Sequence, residues 1–152
     1  MKKLLVTCLI CLGLLTACPG LRIPYTGKGD IESEGQKSPY GLQSHQILIE
    51  ANRLAGLVSK NQLTRVQAAQ ALDRYRVDLV GHNAVDDALY ATYLRVAVDR
   101  QNGRIDAQGA QNRMQSELEK WQGRWVKLKN KPDNPAFTNF LMQVFKLPPL
   151  TK

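Results

Sequence analysis

Apolar residues recur at helical spacing from Ser44 to the end of this 152-residue chain, and no long segment alternates apolar with polar residues. A helix with one buried face needs an apolar residue at every third or fourth position, whereas a half-buried strand needs alternation. The pattern therefore predicts an all-α fold. The hydrophobic fraction of 43% and the charged fraction of 22% are typical of a globular domain.

Capping residues and breaks divide this region into four main helices and a short fifth helix. Ser44, Thr64 and Asp106 are predicted to cap the first, second and fourth helices, because their side-chain oxygens can accept hydrogen bonds from the first turn. Asn134 and Pro135 are predicted to begin the fifth helix, with the asparagine as its cap. The third helix is the richest in apolar residues of the four main helices, and we expect it to be the most buried.

A weak internal repeat with a spacing of 42 residues relates the two halves of the region. Residues 61–64 and residues 103–106 follow the same order, which is a helix-breaking residue, a polar residue, an apolar residue and a helix-capping residue. Ala68 then aligns with Ala110. Each half would form a helical hairpin. The sequence thus predicts a small helical bundle of two stacked helical hairpins plus a short C-terminal amphipathic helix. Chance similarity between two amphipathic hairpins is the alternative.

The N-terminus has the form of an export signal. Two lysines precede an apolar stretch of twelve residues, 4–15, which is shorter than the about 20 residues that span a bilayer. The stretch ends in Leu15-Thr16-Ala17-Cys18. This segment resembles the lipobox of bacterial lipoproteins. The resemblance implies cleavage before Cys18 and attachment of acyl chains such as palmitate to that residue.

An ordinary secreted protein, with Cys18 as a free or paired thiol, is the alternative. Cys8 and Cys11 would leave with the signal peptide, so the mature chain would hold one cysteine and no internal disulfide. A lone N-terminal cysteine favours lipid attachment. In enterobacterial lipoproteins an aspartate after this cysteine favours the inner membrane. Because Pro19 stands there, the resemblance implies the cell outer membrane.

Residues 19–43 are rich in flexible residue types. Ten of these twenty-five residues are Pro, Gly or Ser, and they show no helical or strand period. We therefore expect a flexible tether between the lipid and the domain. The predicted organisation is a signal peptide at 1–17, a lipidated N-terminus and tether at 18–43, and a helical domain at 44–152.

Patterns that would support metal binding or catalysis are weak. Residues 102–106 are similar to the middle of an EF-hand loop, but alignment on Gly103 puts Val98, Arg100 and Gly109 at ligand positions, where calcium needs oxygen donors. His82 precedes Asp86 and Asp87, which are better explained as carboxylates at a helix N-terminus. The sequence predicts no enzyme, no metal site and no cofactor, with an envelope hydrolase as the less favoured alternative.

Two segments are candidate partner surfaces. Basic residues recur on one face if the fourth helix persists to Lys131, and two tryptophans lie beside that face. The fifth helix concentrates aromatic residues on barely three turns. Its apolar face either packs on the bundle or enters a groove on a partner. The candidate residues are Lys120, Trp121, Arg124, Trp125, Lys127, Phe137, Phe140 and Phe145.

The basic face suits anionic headgroups, an acidic glycan or an acidic protein, and a solvated face with core tryptophans is its alternative. Nucleic acid is a poor candidate despite the net charge of +8, because a lipobox directs the chain out of the cytoplasm. The sequence predicts a lipid-anchored outer-membrane protein that acts as a non-catalytic binding or assembly factor and has an envelope protein as partner. A surface-displayed lipoprotein that meets host or environmental molecules is the alternative.

Overall fold

A computed structural model describes residues 38–152 and confirms the all-α prediction for this part of the chain. The described residues form no strand. The five helices are α1 (Leu42–Ser59), α2 (Arg65–Val80), α3 (Ala84–Gln101), α4 (Ala107–Lys127) and α5 (Ala136–Val144). None of these helices, within residues 38–152, is long and apolar enough to cross a membrane. The predicted signal peptide, Cys18 and most of the predicted tether lie outside the described residues.

The four long helices pack in chain order, α1 on α2, α2 on α3 and α3 on α4. The short helix α5 crosses this row and packs mainly on α1 and α3, with smaller contacts to α2 and α4. The fold is thus a small helical bundle with a C-terminal helix that bridges the two hairpins.

The predicted 42-residue repeat is present in the helix boundaries. Both α1 and α3 are 18 residues long and begin 42 positions apart. The turns that follow them also match, since Asn61 (φ 57°) and Gly103 (φ 69°) both take the left-handed conformation that ends many helices. The next residue in each turn returns a 2.9 Å hydrogen bond to the preceding helix, from the Gln62 N–H to Leu57 and from the Arg104 N–H to Asp99.

The predicted caps of the second helix in each hairpin are confirmed. The Thr64 hydroxyl accepts from the Gln67 N–H at 3.1 Å, and the Gln67 side chain accepts from the Thr64 N–H at 2.9 Å. The Asp106 carboxylate accepts from the Gly109 N–H at 2.7 Å. Each pattern satisfies backbone donors of the first turn that have no partner within the helix.

Two predicted caps are wrong. Helix α1 begins at Leu42 after Gly41, and Ser44 lies inside it, fully buried, so its hydroxyl cannot cap the helix that contains it. Asn134 does not cap α5, because the residue before the helix is Pro135 and no side chain within that segment accepts from the first turn. Helix α1 accordingly begins two residues before Ser44.

The most buried helix is α5, and the prediction that the third helix would be so is wrong. Seven of the nine residues of α5 are buried, against five of the eighteen in α3. The reason is position, since α5 lies across the bundle and packs on both hairpins at once. Helix α3 keeps one side exposed to solvent.

Candidate partner surface

The aromatic residues of α5 form the centre of the core. Phe137 is 0% exposed and Phe140 is 1% exposed. The Phe137 ring meets Tyr90 and Tyr93 edge to face, with ring centres 5.8 and 5.7 Å away. The docking alternative required these two phenylalanines to be exposed on a partner surface. Because they are buried, they do not belong to such a surface. Phe145, just after the helix, is half-buried against the same core.

A buried carboxylate from α3 holds the start of α5. Both oxygens of Asp86 are used, since Oδ1 accepts from the Thr138 N–H at 2.9 Å and from the Thr138 hydroxyl at 2.7 Å. Oδ2 accepts from the Phe137 N–H at 3.2 Å and from the Asn83 side chain at 2.9 Å. Asp86 thus caps a helix 50 residues further along the chain. Negative charge at a helix N-terminus is also favoured by the helix dipole.

Ser44 makes a second hydrogen bond to the same turn of α5. Its hydroxyl donates to the backbone carbonyl of Ala136 at 2.9 Å. At the next residue of α5 after Thr138, the side chain of Asn139 bonds both backbone groups of Leu150, at 2.7 and 3.2 Å. The buried side chains of Asp86, Ser44 and Asn139 therefore fix the first half of α5 by hydrogen bonds.

Arg76 is a buried cation that the sequence reasoning missed. It is 1% exposed, and its Nε and Nη2 donate to Asp73 and Asp87, each at 2.6 Å. Its guanidinium lies over the rings of Tyr90 and Phe137, 5.5 and 5.8 Å from their centres. The sequence did hold a signal, because Arg76 stands four residues after the buried Leu72, on the apolar face of α2.

Arg76, Asp73, Asp87 and Tyr90 form a cluster, and burial and hydrogen bonds within it shift the pKa values of Asp87 and Tyr90. Burial disfavours the charged form of Asp87, but hydrogen bonds from Arg76 and His82 outweigh it, and the pKa of Asp87 lies below its ordinary value of 3.8. Burial raises the pKa of Tyr90 and of Tyr93 to about 12. The His82 ring lies 3.1 Å from Asp87 at the exposed edge of the cluster. The cluster works as an ion-pair network that ties α2 to α3.

The basic face on α4 is shorter than predicted. The helix ends at Lys127, so Lys131 does not continue the face, although its Nζ lies over the Trp125 ring at 5.6 Å from the centre. Lys120 and Arg124 are exposed, and both lie near Glu117, at 3.6 and 3.7 Å. Glu117 therefore partly neutralises Lys120 and Arg124, whereas Lys127 makes no ion pair among residues 38–152.

The two tryptophans have different positions. Trp125 is 6% exposed and its indole N–H donates to the Thr151 carbonyl at 2.7 Å, which makes it a core residue. Trp121 is half-buried, with the Arg124 guanidinium over its ring at 5.3 Å from the centre. Of the predicted surface residues, Lys120, Arg124 and Lys127 are exposed, and Trp121 borders them.

Within residues 38–152 the side chains form no group of three or more His, Cys, Asp or Glu residues that could hold a metal ion. Comparison of the chain with protein-family models, with curated proteins and with solved structures gave no match.

Proposed function

We propose that this protein is an outer-membrane lipoprotein whose helical domain serves as a non-catalytic binding or assembly module of the bacterial envelope. The observation that carries the proposal is the apolar stretch that ends in Leu15-Thr16-Ala17-Cys18. Residues 19–152 contain no cysteine, so Cys18 would be the single cysteine of the mature chain. A cysteine with two or three acyl chains binds a membrane stably. The tethered domain would then work close to a membrane surface.

The architecture supports a binding role. Stacked helical hairpins present extended surfaces to partners in many repeat proteins. Here α5 occupies the face between α1 and α3, with its aromatic side chains buried. The C-terminal half of α4 keeps its outer side exposed, so this is the surface that we assign to contacts outside the domain.

Cross-linking in cells tests this role. A photo-reactive residue placed at the exposed Lys127 should form defined adducts with envelope components. The same residue at the exposed Arg74, on α2, should not form those adducts. Adducts that are the same from both positions, or that are absent from both, would contradict a binding surface on α4. Protease treatment of intact cells separates a domain on the periplasmic side, which is protected, from one displayed on the cell surface.

A further inference from the structure

The positive charge of this chain is concentrated in its last 33 residues. Residues 120–152 contain seven basic residues and one acidic residue, Asp133. Residues 18–119 contain twelve basic and twelve acidic residues and are neutral overall. The whole net charge of the predicted mature chain therefore belongs to the C-terminal segment.

The type of basic residue changes at the same point. Residues 38–119 contain eight arginines and one lysine, whereas residues 120–152 contain six lysines and one arginine. Several of the arginines are held in ion pairs within the domain, such as Arg113 with Asp99 at 2.6 Å. Lysine is a hydrated point charge without fixed hydrogen-bond geometry, and it is depleted at protein–protein interfaces, where arginine is enriched. The lysine-rich segment thus differs in kind from the ion-paired body of the domain.

The fold gathers these residues at the C-terminal end of α4. The last residues of the chain run alongside this helix in the same direction, with Gln122 donating to the Pro148 carbonyl at 3.3 Å and Trp125 to that of Thr151. Lys131 lies against Trp125, and Lys152 pairs with Asp133. Lysines from the helix, the connector and the C-terminus therefore lie around the C-terminal end of α4.

One exposed apolar side chain lies next to Lys127 in the chain, in the last turn of α4. Val126 is 77% exposed, and among residues 38–152 no other large hydrophobic residue is classed as exposed. It directly precedes Lys127, with Lys129 two residues further on, and all three are exposed. An aliphatic group among lysines matches the boundary between charged headgroups and acyl chains.

The described chain also begins close to the same region. The Tyr40 hydroxyl donates to the Leu147 carbonyl at 3.0 Å, one residue before the Pro148 that bonds Gln122 on α4. The first described residues therefore lie beside the C-terminal residues. A lipid on Cys18 and the lysine surface could then reach the same membrane.

We propose that the lysine surface docks the domain on an anionic phospholipid membrane. We define this surface as the exposed residues of the C-terminal part of α4 and the segment just after it, which are Lys120, Arg124, Val126, Lys127 and Lys129. Lys120 and Arg124 also lie near Glu117, so Lys127 and Lys129 carry the charge that this carboxylate does not offset. Diffuse headgroup charge suits lysines without a fixed acceptor geometry, and it attracts each basic residue near the surface. The proposal deepens the proposed function, on which its biological setting rests, by naming the ligand of the exposed α4 surface.

Vesicle sedimentation tests the proposal with the mature chain, residues 18–152, carrying Cys18→Ser so that no lipid is attached. Binding to phosphatidylcholine vesicles that contain phosphatidylglycerol should exceed binding to pure phosphatidylcholine vesicles and should fall as salt is added. The variant Lys127→Gln/Lys129→Gln should weaken binding by about 10- to 30-fold. The control Lys60→Gln/Arg74→Gln removes two exposed charges elsewhere and should bind like the parent chain. Circular dichroism should show the same helicity in all of these chains.

Several results would overturn the proposal. Equal binding to both kinds of vesicle would do so, and so would an equal loss of binding in the control variant. Binding to soluble polyglutamate without binding to vesicles would point to an acidic protein instead. Because the tested chain carries no lipid, these results are independent of whether Cys18 is acylated, and the failure of one proposal is distinguishable from the failure of the other.

Discussion

Ser44 and Asp86 stand 42 residues apart, at the third position of α1 and of α3, and both bond the first turn of α5. The serine donates to the Ala136 carbonyl, and the aspartate accepts from the N–H groups of Phe137 and Thr138. The two repeats thus present opposite polarity at equivalent positions. The start of α5 supplies the complementary carbonyl and N–H groups. Equivalent residues of the two repeats therefore position the start of the C-terminal helix together.

Asp86→Ala should destabilise the domain strongly. The substitution leaves the buried N–H groups of Phe137 and Thr138 without their acceptor, and we expect a loss of about 3 kcal/mol in the free energy of unfolding. Urea unfolding followed by circular dichroism measures this loss. The exposed Asp78 on α2 offers a matched control, because Asp78→Ala should change stability by less than about 0.5 kcal/mol. Equal stability of the two variants would contradict the capping role of Asp86.

The matched turns after α1 and α3 predict that glycine is favoured at both left-handed positions. Gly103 has a φ of 69°, where a side chain is strained, so Gly103→Ala should cost about 1 kcal/mol. Asn61 holds the equivalent position with a φ of 57°, and Asn61→Gly should leave stability unchanged or raise it slightly. Thermal unfolding of the two variants checks both signs. A stabilising Gly103→Ala would mean that the two turns differ in conformation.

Phe140→Ala should be among the most destabilising substitutions in the chain. Phe140 is 1% exposed, so truncation leaves a cavity in the core and should cost about 3–5 kcal/mol. The melting temperature should fall by more than about 10 °C. Phe145→Ala is the matched control, because that half-buried ring loses less contact and should cost clearly less. If Phe140→Ala melts like the parent chain, α5 is not part of the core.

Acid should remove the stabilisation that Arg76 provides through Asp87. Because the pKa of Asp87 is lower in the folded state than its ordinary 3.8, ionisation of this group favours folding at neutral pH. That contribution is lost as the pH falls through the folded-state pKa. Acidification from neutral pH to about 2 should therefore destabilise the parent chain more than Arg76→Leu.

The exposed Arg74→Gln on the same helix should follow the parent chain in this pH series. Its side chain makes no hydrogen bond to Asp87, whereas Arg76 donates to it directly. The other carboxylates with a lowered pKa, Asp99 and Asp133, are present in all three chains and contribute equally. Parallel pH curves for the parent chain and Arg76→Leu would contradict the assigned role of the pair.

Local patterns predicted those parts of the fold that depend on neighbouring residues. Thr64 and Asp106 cap their own helices, and the break before each lies where the sequence indicated, because such hydrogen bonds span three residues. The cap of α5 was missed because its acceptor, Asp86, lies on α3, and no local pattern records a partner about 50 residues away. The burial of Phe137 was likewise one of two open alternatives until the packing of α5 on α1 and α3 decided it.

Ser44 also shows that a local pattern does not identify a distant hydrogen-bond partner. Its residue type and position suggested a helix cap, but a serine on the buried side of a helix can equally serve a distant carbonyl. The charged residues of α4 show a further limit, since the predicted face assumed a helix to Lys131 and the helix ends at Lys127. Leu128, the next residue, has extended backbone with φ −72° and ψ 122°, and sequence spacing did not indicate this change.

Metabolic labelling with palmitate, combined with membrane fractionation, tests the central claim most directly. The wild-type chain and Cys11→Ala, which changes only the predicted signal peptide, should incorporate label and sediment with outer membranes. Cys18→Ala should incorporate none and should lack the acyl anchor. If Cys18→Ala still carries palmitate, or if the wild-type chain carries none, the protein is not the lipid-anchored outer-membrane protein proposed here.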